Sequence, residues 1–174
     1  MGSERQLKAF CKVGKVCVKE LNASEPLSFW FQGFDELRVN KLTFMDKIIA
    51  LYGGANVGKS TTFMELATML PEPIDTLHWN KSDYRATFMV NGKKVCICTW
   101  GDNRAELDRN IAYFHKMQPD IAVTATRTWG KTVEAVEEYA KEFEPHAPIE
   151  WIRKWRSSKE DCKGMAENIL KKWV

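Results

Sequence analysis

The residues most able to do chemistry lie in one run, Gly53-Gly54-Ala55-Asn56-Val57-Gly58-Lys59-Ser60-Thr61. Glycine, lysine and hydroxyl stand at the spacing G-x-x-x-x-G-K-[ST], fixed by Gly53, Gly58, Lys59 and Ser60. Each residue type answers one need of a bound phosphate chain. Glycines let the backbone curl into a nest whose N–H groups face phosphate oxygens. Lys59 supplies a compact positive charge. The Ser60 hydroxyl is placed to hold a hard divalent cation such as Mg²⁺.

Such a run needs elements on both sides to hold it open. Ile48 to Tyr52 is an apolar run that reads as a buried strand ending at Gly53. Phe63, Leu66, Ala67 and Leu70 recur at i, i+3, i+4 and i+7, which predicts a helix over 60–70, stopped by Pro71. A helix beginning at Gly58 adds unpaired N–H groups and the positive end of its dipole. On this strand, loop and helix the chain resembles the P-loop NTPase superfamily. The resemblance implies that Gly53 through Thr61 bind a nucleoside triphosphate, that Lys59 meets its β- and γ-phosphates, and that Ser60 ligates Mg²⁺.

Members of the superfamily usually carry a second motif, an apolar strand ending in a metal-side Asp. Here the strand Val95 to Cys98 ends in Thr99, and the acid comes three residues later at Asp102. Thr99 and Asp102 therefore join Ser60 as candidate metal-side groups, and Asp102 equally suits capping the helix that follows. The next strand ends at Arg127, whose charge could lie over the γ-phosphate as an arginine finger in cis does. The bland alternative is a helix-capping turn flanked by Arg127 and Lys131. Lys59, Asp102 and Arg127 are the candidate catalytic residues. Trp100 and Trp129 suit stacking on a ring, and equally suit covering an edge of the sheet. Asn80-Lys81-Ser82-Asp83 spells the guanine-reading N-K-x-D but precedes the hairpin, the wrong position for that role. ATP is therefore expected over GTP.

The remaining chain alternates. Residues 74–84 show no clear period. Ala86 to Val90, Asn91-Gly92 and Lys93 to Thr99 predict a hairpin with a type I′ turn. Leu107, Ile111, Phe114 and Met117 mark a helix capped by Asn103 or Asp102. Ile121 to Thr126 reads as a strand, Val133 to Phe143 as a helix, Ile149 to Trp155 as the last strand and Cys162 to Trp173 as the last helix. This pattern predicts an α/β fold with a mostly parallel sheet, helices on both faces and one antiparallel hairpin strand, as in the P-loop NTPase fold. Ligands of such sheets sit beyond the carboxyl ends of the strands. That rule brings loops 53–60, 99–103 and 127–132 together. Residues 1–46 read as an arm packing on a domain over 47–174.

Composition sets the outer bounds. The chain has 174 residues, 44% hydrophobic and 28% charged, which fits one domain with a full core. Its net charge of +3 is too balanced to indicate nucleic acid. A lysine stripe at 8, 12, 15 and 19 suits either a solvated face or a protein or other anionic partner. No segment has the length or apolarity of a membrane span or signal peptide, so a cytoplasmic location is expected. Cys96 and Cys98 alternate along one strand and read as small core residues on a shared face.

Overall fold

The computed structural model describes residues 44–79 and 83–173. Most of the expected arm, with its lysine stripe, lies outside the described residues. So do Asn80, Lys81 and Ser82. The described chain runs β1 (Lys47–Tyr52), α1 (Lys59–Ala67), β2 (Asp75–Trp79), β3 (Tyr84–Val90), β4 (Lys93–Cys98), α2 (Arg104–Met117), β5 (Ile121–Thr126), α3 (Lys131–Ala140), β6 (Ile149–Arg153) and α4 (Lys159–Lys171).

The strands form one sheet in the order β2-β3-β4-β5-β1-β6. β4, β5, β1 and β6 pair in parallel, and β3 runs against both of its neighbours. Buried strands covered on both sides must be apolar on both sides. In β1, Ile49 and Leu51 face one cluster with Phe63 and Leu66 of α1 and Ala166 and Ile169 of α4. Ile48 and Ala50 face the other, with Leu107 and Phe114 of α2 and Val136 and Tyr139 of α3. The α/β fold with a mostly parallel mixed sheet and helices on both faces is thus present. Cys96 and Cys98 point to the α2/α3 face and are fully buried. Burial pushes the Cys96 thiol up to about 12 and the Cys98 thiol well above its ordinary range.

Two local differences from the sequence expectation have plain causes. Within the stretch read as having no clear period, Asp75–Trp79 forms β2 against β3. It is an edge strand with Thr76 and Leu77 exposed, so it shows no apolar alternation. The helices also begin earlier than periodicity suggests, since polar first turns carry no apolar signal. Ser158 caps α4 by accepting from the Asp161 N–H. The hairpin turn has positive φ at Asn91 (51°) and Gly92 (78°), as a type I′ turn requires.

Candidate functional site

The glycine-rich run 53–58 forms the crossing from β1 to α1 at the carboxyl end of β1. Asn56 (φ 58°) and Gly58 (φ 85°) take left-handed backbone conformations there, and Gly58 is the N-cap of α1. Among the described residues no side chain caps this helix, and its first turn carries no acid. Its leading N–H groups and dipole are left for an anion. Gly53 and Gly58 are also close-packed positions. A Cβ on Gly53 would meet the Lys154 carbonyl oxygen at 2.5 Å, and one on Gly58 the Cys162 Sγ at 2.8 Å.

Lys59 is buried, at 8% exposure, and its Nζ donates to the carbonyl oxygens of Gly53 (3.0 Å) and Gly54 (2.7 Å). Burial lowers the pKa of this amine. Asp102 raises it, and Arg127 lowers it in turn. Both side chains therefore act on Lys59 through space, as the shared placement of their loops requires.

The carboxylate that meets the Ser60 hydroxyl is Asp83, the last residue of the misplaced N-K-x-D run. Ser60 Oγ donates to Asp83 Oδ1 at 3.1 Å, and Thr99 Oγ1 donates to the same oxygen at 3.0 Å. Thr99 is fixed in turn by the backbone of Tyr84, whose N–H donates to Thr99 Oγ1 at 3.0 Å. Asp83 precedes β3, and β3 is antiparallel, so its start lies at the carboxyl end of its neighbours. A signal for this was available. Counting back from the Asn91-Gly92 turn pairs Arg85 with Cys98, which brings Asp83 beside Thr99.

Asp102 lines the same pocket but points to a different partner. Its Oδ1 lies 3.2 Å from Arg127 Nη2, and its carbonyl oxygen accepts from Arg127 Nε at 3.3 Å. The two expected catalytic groups thus hold each other at the rim. Helix α2 is capped by Asn103, whose Oδ1 accepts from the Glu106 N–H at 3.0 Å, so Asp102 is not needed as a cap. The loop carrying Asp102 lies flat on β5, since a Cβ on Gly101 would sit 2.0 Å from the Ala125 carbonyl oxygen. Trp100 packs under the buried Arg85, whose guanidinium carbon is 4.4 Å from the ring centre. Arg85 is anchored by Glu106 (2.8 Å) and Asn110 (2.8 Å). Trp129, in contrast, is 82% exposed.

The resulting pocket has a volume of about 370 Å³ and is bordered by the loop, Asp83, Thr99, Asp102 and Ser157. Among the described residues, the side chains that meet at Ser60 offer hard oxygens: two hydroxyls and one carboxylate. That chemistry suits Mg²⁺, which is held through one or two carboxylates and substrate phosphates. Among the described residues no group of three or more His, Cys, Asp or Glu is placed to hold a metal ion. No family model, no curated protein and no solved structure matches the chain.

Proposed function

We propose that this chain is a P-loop NTPase, binding Mg²⁺ and a nucleoside triphosphate, ATP in preference to GTP, on the loop Gly53–Thr61. The observation that carries the reading is the convergence of Ser60 and Thr99 on Asp83, beside Lys59 and an uncapped helix N-terminus. A buried ammonium, open backbone N–H groups and a hydroxyl–carboxylate cluster are what a triphosphate and its cation need. Ser60, Asp83 and Thr99 would hold Mg²⁺, which when bound neutralises charge between the β- and γ-phosphates. Lys59 exchanges its loop carbonyls for phosphate oxygens. Arg127, steered by Asp102, meets charge that develops on the γ-phosphate as it leaves for water or a small-molecule acceptor. Asp83 serves the phosphate end, so Asn80 to Asp83 is not a base reader, which is why GTP ranks second.

A second reading rests on a specific observation. Both pocket carboxylates are engaged, Asp83 by hydroxyls and Asp102 by Arg127. A site whose acids are engaged in this way suits slow turnover, and the chain would then be a nucleotide-responsive binding protein. One experiment separates these. Calorimetry with ATP, GTP and dATP, with and without Mg²⁺, is run on wild type and Lys59→Ala, alongside phosphate release. The expected result is tightest binding of ATP with Mg²⁺, an affinity loss of about 10- to 150-fold in Lys59→Ala, and phosphate release above that variant's background. Binding without release selects the second reading. Unchanged ATP affinity in folded Lys59→Ala ends both.

A further inference from the structure

We infer that the nucleoside of a bound triphosphate lies on the β6 side of the phosphate loop, with its base stacked on Trp155. The inference rests on the triphosphate reading above and extends it to the other end of the ligand. Polarity comes first. The groups suited to the metal and terminal phosphates, Asp83 and Thr99, stand at the ends of β3 and β4. In the sheet those strands lie on one side of β1, and β6 lies on the other. A triphosphate with its γ end near Asp83 leads its sugar away, toward β6.

What it meets there is the segment 154–157. The Lys154 N–H donates to the Tyr52 carbonyl oxygen at 2.8 Å, which ties this segment to the start of the loop. Ser157 borders the phosphate pocket, and its Cα would lie 3.2 Å from a Cβ on Gly58. Two residues back stands Trp155, a large ring left 66% exposed. Arg153 lies over one face, with its guanidinium carbon 3.9 Å from the ring centre. That contact fixes the attitude of the indole before any ligand arrives, which reduces the ordering cost of stacking.

A recess of about 380 Å³ opens beside the ring, bordered by Lys154, Arg156, Asp161 and Met165. Lys154 is 3% exposed, so the recess has a buried stem and polar groups around one aromatic surface. A flat aromatic ligand with polar edges fits that character. Trp129, the other strongly exposed indole among the described residues, follows β5 and so stands on the phosphate side of β1. Stacking tolerates any base because every base has a π-face. Trp155 therefore adds affinity without selecting between ATP and GTP.

The test measures binding of ATP, GTP and inorganic tripolyphosphate, each with Mg²⁺, to the full chain. Wild type is compared with Trp155→Ala, Trp155→Phe and Trp129→Ala. Trp155→Ala should weaken ATP and GTP alike by about 5- to 150-fold, the span of base–aromatic stacking, and leave tripolyphosphate unchanged. Trp155→Phe should retain most nucleotide affinity, and Trp129→Ala all of it. Wild-type ATP affinity in Trp155→Ala overturns the base platform while the phosphate reading stands. So does an equal loss of tripolyphosphate, or a loss in Trp129→Ala instead. If wild type binds neither tripolyphosphate nor ATP, the phosphate reading fails and the platform with it.

Discussion

The loop between β1 and α1 is held in two different ways on its two sides. Toward β4 the neighbours are charged and hydroxyl side chains: Asp83 with Ser60 and Thr99, and Asp102 with Arg127. Toward β6 the neighbours are backbone and a thiol, packed where Gly53 and Gly58 lack a Cβ. The first arrangement can exchange partners when a charged ligand arrives. The second fixes shape and has no atom to spare. Chemistry and geometry are thus assigned to opposite flanks of one loop, and substitutions on the two flanks should fail differently.

The largest effect belongs to the packed flank. Gly58→Ala sets a Cβ 2.8 Å from Cys162 Sγ and 3.2 Å from the Ser157 Cα, at a φ of 85°. Overpacking and left-handed strain together should lower stability by about 2–5 kcal/mol, and the melting temperature by roughly 5–15 °C. Adding Cys162→Ala should recover part of the loss by removing the sulfur contact. A Gly58→Ala protein that melts with wild type would break the comparison at its packed end.

On the charged flank the expected signature is kinetic. The Arg127–Asp102 pair is substantially exposed on both partners, so Arg127→Ala should change stability by less than about 1 kcal/mol. Under the proposed function its charge acts as the γ-phosphate departs. Phosphate release should therefore show kcat lowered by about 10- to 1,000-fold with KM unchanged. A KM effect alone would make Arg127 a ground-state contact and remove the cis-finger role.

The smallest effect is a pH dependence centred on Lys59, between the flanks. Burial lowers its pKa below the ordinary 10.5. A lysine lowered in this way binds fewer protons folded than unfolded, so stability of the free protein rises as pH passes its folded pKa. Triphosphate affinity runs the other way, since the deprotonated amine loses its charge. ATP affinity in wild type should begin to fall before pH 10.5 is reached. Lys59→Ala should show no such limb. A wild-type curve parallel to that of Lys59→Ala would mean that the amine contributes no charge to binding.

Much of the fold was legible because long elements carry strong periods. β1, β5, α2 and the Asn91-Gly92 hairpin lie within a few residues of where apolar spacing and turn chemistry put them. β2 was not legible, because an edge strand paired on one side needs no buried alternation, and Asp75-Thr76-Leu77 has none. The loop between β1 and α1 was readable from local spacing. Asp83 is not marked by any spacing around it, and its place shows only when the hairpin register is counted back from Asn91-Gly92 to Thr99. Sequence distance makes Asp102 a candidate metal-side acid. Its ion pair with Arg127 depends on β4 and β5 being adjacent, which no spacing within either strand reveals.

The central claim is that Asp83, rather than Asp102, is the acid on the metal side of a triphosphate site. The most direct test is the gain in ATP affinity on adding Mg²⁺, measured by calorimetry for wild type, Asp83→Asn and Asp102→Asn. Asn preserves the shape and an acceptor oxygen at each position while removing the charge. Wild type should gain affinity with Mg²⁺. Asp83→Asn should lose that gain by about 10- to 100-fold, the usual cost of removing a group that supports a bound metal. Asp102→Asn should keep it. A full Mg²⁺ gain in Asp83→Asn, or its loss in Asp102→Asn instead, would contradict the account.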